Sequence, residues 1–243
     1  MKKAVISLSG GMDSTSLLIH LLSQKIMVKA YNFDYGSRQN ALEIKRIQEN
    51  LFYLRRKGFN IQFQHLNLRE IFNESNSALF IKNDIDIPEE HYTAINQKVT
   101  VVENRNAIFS NIIFSKALSW ANKTGEDIVI SLGIHSGDHA IYKDCTPEFR
   151  DAMEKAMKIG NDNSEKVNYY VPFLHQTKRD ILLDLKTNCF YLGLDFYKIL
   201  KNTLTCYNPN DSGESCGKCG SCVERLEAFE RINEKDPIDY IKQ

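Results

Sequence analysis

Residues 4–14 read Ala4-Val5-Ile6-Ser7-Leu8-Ser9-Gly10-Gly11-Met12-Asp13-Ser14. An apolar run of strand length stops at a Ser-Gly-Gly turn, and a segment of helical period, Ser14 to Ser23, follows it. The pattern then repeats. Met27 to Phe33 and Ile61 to Leu66 read as strands, with the helical segment Ala41 to Arg56 between them. A helix from about Ala107 to Asn122 carries a broad apolar face of Ile108, Ile112, Phe114, Leu118 and Trp120, and Asp127 to Leu132 comes next as a strand. Strands alternating with helices predict an α/β fold, doubly wound around a mainly parallel sheet.

Two further helix starts are legible from their caps. Thr146 precedes Pro147, which predicts a capped helix to about Ile159, stopped by Gly160 and Asn161. Thr177 can cap a helix through Leu185, and Val223 to Ile232 reads as a last helix. Asn73 to Val99 has no clear period and reads as a long irregular loop or lid.

Composition narrows the class. With 42% hydrophobic residues, 12 glycines and 5 prolines in 243 residues, the chain is neither disordered nor a collagen-like repeat. Lys plus Arg and Asp plus Glu both total 31, so net charge gives no general attraction to nucleic acid or to an anionic membrane. No stretch reaches the ~18–20 apolar residues of a membrane span, and a cytoplasmic location is expected.

The strand–Gly-Gly–helix junction suits a phosphate. Gly10 and Gly11 let backbone approach an anion, the hydroxyls of Ser9 and Ser14 can donate, and a helix N-terminus supplies free amides and partial positive charge. An ordinary tight turn is the rival reading of the glycines. The Walker A loop is excluded, since its lysine and longer glycine spacing are absent.

Four of the six cysteines, Cys206, Cys216, Cys219 and Cys222, crowd together near the C-terminus, with Gly217 and Gly220 between them, while Cys145 and Cys189 stand apart. Four thiolates at this spacing suit a closed, structural tetrahedral Zn2+ site, and an iron–sulfur cluster is the rival. Packing is the default role for Cys145 and Cys189.

Other side chains are candidates by position. Arg38 and Arg105 lie at the strand-end and helix-start positions where open parallel sheets hold ligands, so they are expected to bind phosphate or a substrate carboxylate. Lys178 opens a helix and is a candidate for the pyrophosphate. His135, Asp138 and His139 cluster after a strand, where they can recognise a heterocycle edge, and Tyr142, Asp144 and Cys145 lie just beyond. Phe33 and Tyr35 can wall an adenine ring. The run Arg55-Arg56-Lys57 reads as a solvated helix end.

The string from Ser9 to Ser14 resembles the PP-loop of the ATP pyrophosphatases, which split ATP between its α- and β-phosphates to adenylate a substrate. That resemblance implies that Leu8, Ser9, Gly10, Gly11, Ser14 and Thr15 hold the nucleotide, with Phe33 beside it and Asp13 near Mg2+. Together with the cysteine cluster, the chain resembles the QueC family, the 7-cyano-7-deazaguanine (preQ0) synthases. Supporting segments are Phe33-Asp34-Tyr35-Gly36 with Arg38, Arg105-Asn106, Gly133 with Asp138, Tyr142, Asp144-Cys145, Thr177-Lys178, Cys206-Tyr207 and the tail from Cys216 to Phe229. The resemblance implies a PP-loop domain over residues 1–200 and a zinc-binding loop and helix over 201–243.

The activity that this resemblance implies is that of a carbon–nitrogen ligase. It would adenylate 7-carboxy-7-deazaguanine with ATP, capture it with ammonia as an amide, and activate the amide again to give the nitrile. Asp13, Arg38, Arg105 and Lys178 would act in catalysis, and Tyr35, His135, Asp138, Tyr142 and Asp144 would meet the substrate. A homodimer is implied. The chain departs from the family's strings where Gln39 replaces a histidine and where Glu103 and Lys143 replace prolines. Three rivals stand beside this reading: a ligase that joins the deazaguanine to a protein amine, a tRNA-modifying adenylase, and a non-catalytic nucleotide-binding zinc module. Neutral net charge and the lack of a basic RNA-binding module disfavour the tRNA enzyme.

Overall fold

The computed structural model describes residues 2–89, 91, 95–136 and 142–242. Five strands form one fully parallel sheet: β1 (Lys3–Ser7), β2 (Met27–Asp34), β3 (Gln62–Asn67), β4 (Ile128–Ser131) and β5 (Val167–Tyr169). Their order is β3-β2-β1-β4-β5. The chain therefore winds outward from β1 to one edge, returns, and winds to the other. The crevice beyond the C-terminal ends of β1 and β4 is where such a reversal opens a ligand site.

The central strands β1, β2 and β4 are covered on both faces, which explains their apolar runs, while edge strand β3 is largely exposed. On β1, Ala4 and Ile6 join one core with Leu17, Leu18 and Leu21 of α1 (Met12–Ser23) and Ile181, Leu182 and Leu185 of α5 (Lys178–Tyr191). Val5 points the other way, into a second core with Phe109, Ile113 and Phe114 of α3 (Arg105–Thr124). Between β2 and β3 lies α2 (Asn40–Arg56), which ends at Arg56 as expected. Arg56 sits over the Phe52 ring and Lys57 donates to the Gly193 carbonyl, so this basic end is a helix terminus.

The capped helices form where their caps place them. Thr146 Oγ1 accepts from Phe149 N at 3.2 Å and starts α4 (Pro147–Ile159). Thr177 and Asp180 form a reciprocal capping box at α5. That helix runs past Leu185 to Tyr191, because Cys189 still faces the core, and it ends before Gly193 at φ +64°. Among the described strands and α-helices, two have no counterpart in the sequence reading: the three-residue β5 and the short α6 (Phe196–Lys201), both below the length at which periodicity is readable. The last helix, α7 (Gly220–Glu230), begins inside the cysteine cluster.

The described residues of the 73–99 stretch carry short 3-10 turns but are otherwise irregular, as expected, yet they are not a detached lid. Ala78, Leu79 and Phe80 are buried, Arg38 N donates to Leu79 O at 2.9 Å, and Phe80 packs edge-on against Tyr35. Among the described residues, no helix is long and apolar enough to cross a membrane.

Candidate active site and cysteine centre

The turn after β1 is knotted by its own hydroxyls. Ser9 N donates to Ser14 Oγ at 3.2 Å, the two serine oxygens lie 3.0 Å apart, and Gly11 N reaches Ser9 Oγ at 3.4 Å. Neighbouring backbone wedges this turn from two sides. Gly10 adopts φ +80°, and a Cβ there would stand 2.9 Å from the Glu43 carbonyl of α2. A Cβ on Gly133, just past β4, would stand 2.7 Å from Ser14 N. Only glycine allows β4's exit to approach the N-terminus of α1 so closely.

A cavity of about 250 Å³ opens over this turn. Of the residues expected at the nucleotide, Ser9, Gly11, Asp13, Ser14 and Phe33 line it. Leu8, Gly10 and Thr15 lie behind the wall; Leu8 and Thr15 are each 2% exposed and frame the loop. Phe33 stacks on Phe109 at 4.3 Å between centroids, giving the cavity an aromatic side.

Asp13, Lys178, His135 and Glu224 meet at the mouth of α1. Lys178 Nζ lies 2.6 Å from Glu224 Oε2 and 3.4 Å from Asp13 Oδ2, and His135 Nε2 is 3.8 Å from the same Asp13 oxygen. Burial opposes the charge on Lys178, but Asp13 and Glu224 overcome it and hold its pKa above the ordinary lysine value. Asp13 Oδ1 is buried with no hydrogen-bond partner. An unpaired carboxylate oxygen beside a phosphate-type loop fits a hard divalent cation.

Arg105 stands across the cavity. Its Nη1 donates to Tyr35 Oη at 3.4 Å, and the guanidinium lies 5.6 Å from the Tyr35 ring centroid. Burial works against its charge, and Tyr35, Tyr207 and Asp144 nonetheless raise its pKa. Tyr142, whose hydroxyl pairs with Thr100 Oγ1 at 2.8 Å, and Asp144 complete this side. Cys145 lines the cavity too, but burial, with Asp144 beside it, pushes its thiol up to about 12, the state of a packed thiol rather than a nucleophile.

Arg38 departs from expectation. It does not line the cavity; its Nη2 donates to Ile85 O at 2.9 Å, because the turn after β2 directs it toward the 73–99 segment. Asp138 and His139 lie outside the described residues. Sequence reasoning missed Gln39, Glu43, Tyr207 and Glu224, all on the cavity wall. Gln39 and Tyr207 stand in strings compared with the family but receive no role there, Glu43 stands in no local pattern, and Glu224 is legible only as a carboxylate two residues past Cys222.

The four clustered cysteines offer sulfurs within 4.8 Å of one another. The Cys216 and Cys222 sulfurs are 3.9 Å apart, close to the edge of about 3.8 Å that four Zn–S bonds of ~2.3 Å give a tetrahedron. Backbone amides support them: Asn208 N and Cys216 N reach Cys206 Sγ at 3.2 Å, and Cys219 N reaches Cys216 Sγ at 3.3 Å. The donor set fits a closed metal site. It also abuts the cavity, since Thr205, Cys206, Tyr207, Ser221 and Glu224 all line it. Behind it, fully buried Arg225 clamps Asp236 at 2.7 and 2.9 Å and donates to Thr203 and Thr205.

Comparison with known proteins places this geometry in a family. The model described as "Queuosine biosynthesis protein QueC" matches residues 3–233. The chain is 41% identical over 240 residues to 7-cyano-7-deazaguanine synthase 1 of Colwellia psychrerythraea, covering 98% of this chain and 99% of that one. It is 39% identical to the 7-cyano-7-deazaguanine synthase of Pseudoalteromonas atlantica, with 99% of each chain covered. Against the Rickettsia felis synthase identity is 35%, over 99% of this chain and all of that one. A phosphate-type loop and a four-cysteine centre sharing one cavity wall, matched over nearly the full length, make this chain a member of the QueC family.

Proposed function

We propose that the protein converts 7-carboxy-7-deazaguanine and ammonia to 7-cyano-7-deazaguanine with ATP, releasing AMP and pyrophosphate. The observation that carries this reading is the single cavity in which the loop of Ser9 to Ser14, Lys178 and Arg105 converge, in a chain that matches synthases of that name from end to end.

The residues divide the work by charge. The free amides at the start of α1 and the Lys178 ammonium face the phosphates, where negative charge grows as AMP is transferred. Mg2+, when bound, supplies further neutralisation of the phosphate oxygens, with Asp13 as its protein ligand. Arg105 attracts the carboxylate of the acid and holds it against the loop, so that a bimolecular attack on the α-phosphate becomes a positioned one. Phe33 and Phe109 give the nucleotide base an aromatic wall, and Tyr35, His135, Tyr142 and Asp144 surround the deazaguanine. Zn2+ at the four cysteines is structural, because every coordination position is filled by protein. The assembly proposed is a homodimer.

Purified protein incubated with Mg2+, ATP, the 7-carboxy acid and ammonium should yield the nitrile, AMP and pyrophosphate by mass spectrometry. Amide or adenylate alone, or no product, under these conditions would sink the reading.

A further inference from the structure

Gln39 and Glu43 lie one helical turn apart at the start of α2, 4% and 8% exposed, and both line the cavity. The Gln39 amide donates to the Glu43 carboxyl. Its own Oε1 is buried and accepts from nothing. That oxygen is a buried acceptor without a donor, beside a carboxyl group that already accepts from the Gln39 amide, and native interiors do not leave such an atom unmatched without reason. The occupant that fits is small, rich in N–H and able to carry positive charge.

The surroundings define what happens to that charge. Arg105 of α3 faces Glu43, as do Asp34 at the end of β2 and the Tyr35 hydroxyl. Asp34 is already engaged, by Arg69 Nε at 2.9 Å and by Gly36 N at 3.0 Å. Arg105 is therefore the charged group with most influence over a cation at Glu43, and it acts by repulsion.

We propose that Gln39 Oε1 and the Glu43 carboxylate form the pocket that receives ammonium and takes one proton from it. The proposal rests on the function given above. One ammonium N–H bond breaks, its proton passes to Glu43, and neutral ammonia keeps the electron pair. The pair attacks the acyl carbon of the adenylate; the C–N bond forms, the C–O bond to AMP breaks with its electrons on AMP, and the surplus proton on nitrogen leaves to water. Glu43 returns its own proton to water before the next turnover. Burial lifts the Glu43 carboxyl to about 8, near enough to ammonium for transfer in either direction. The same arginine that draws in the substrate carboxylate thus keeps the neighbouring nitrogen neutral and nucleophilic.

Two measurements test this on the full-length protein. In the first, 15N-labelled protein is titrated with ammonium chloride and, separately, sodium chloride. The Gln39 side-chain amide signal should shift with ammonium only, and Glu43→Gln should abolish the response; equal responses to both salts, or none, overturn the pocket whether or not the enzyme makes the nitrile. In the second, acid-dependent ATP–pyrophosphate exchange is compared with amide formation. Glu43→Gln and Gln39→Ala should depress amide formation at least ten-fold more than exchange and raise the KM for ammonium. A rise in the KM for the acid instead, with that for ammonium unmoved, would assign these acceptors to the heterocycle edge and overturn the proposal. Wild-type protein that shows no exchange defeats the functional reading, while the titration still decides the pocket.

Discussion

Glu224 Oε2 stands 2.6 Å from Lys178 Nζ, so a residue two positions beyond the last clustered cysteine holds the lysine that opens α5. The cysteine centre and the phosphate loop are joined through that pair, because Lys178 also reaches Asp13. Glu224 and an incoming polyphosphate compete for one ammonium. Glu224→Gln should lower the KM for ATP roughly three- to ten-fold, about 1 kcal/mol. Lys178→Met should instead cut kcat/KM on the order of 100-fold or more, about 3 kcal/mol, as the loss of a cation aimed at developing charge does. Steady-state kinetics with ATP as the varied substrate checks both.

Burying Glu43 makes stability depend on pH with a definite sign. Its folded-state value of about 8 exceeds the ordinary 4.5, so the folded chain binds the extra proton between those limits. The favourable contribution is complete below about pH 4.5 and is lost as pH rises through about 8. Glu43→Gln, which cannot ionise, should gain on wild type from pH 5 to pH 8 by a few kcal/mol, at about 1.4 kcal/mol per pKa unit. Urea denaturation of both proteins at the two pH values measures the difference; a gap that stays constant refutes it.

Gly133→Ala puts a methyl 2.7 Å from Ser14 N, where only backbone can yield. The loop must move off β4's exit, at about 1–3 kcal/mol of stability. Nucleotide binding should weaken with it, because the displaced amides are those proposed to face the phosphates. Calorimetric titration with ATP and a thermal melt of the variant read the two effects together.

The cysteine centre should hold one Zn2+ per chain by plasma mass spectrometry. Cys219→Ser should lose the metal and lower Tm by roughly 10 °C, the shift for about 3 kcal/mol in a chain of this size. ATP binding should change as well, since Thr205, Tyr207 and Glu224 are carried on the same segment. Retention of normal ATP affinity after metal loss would show that the two sites are independent.

Much of the fold is legible in the order of residues alone. The alternation around β1, the glycines of the phosphate turn, the caps Thr146 and Thr177 and the cysteine spacing are local signals, and each element forms where its signal lies. The exceptions have physical causes. β5 and α6 are too short to show a period, and α5 outruns its expected end because Cys189 has a core to face. For Arg38, a place after a strand gives position without direction, and its side chain turns to Ile85 O.

The site divides along the same line. Ser9, Gly11, Asp13 and Ser14 are readable because one turn of chain brings them together. Glu43, Gln39, Glu224 and Tyr207 are not, since nothing in a carboxylate, amide or phenol at those positions marks it as part of a cavity wall. By itself the sequence determined the α/β class, the glycine turn after β1 and the cluster of thiols that could hold a metal, all properties of short-range spacing. Only the tertiary structure decided which distant charges share one cavity and which of them are paired, because burial and Coulombic partners depend on elements far apart in the chain.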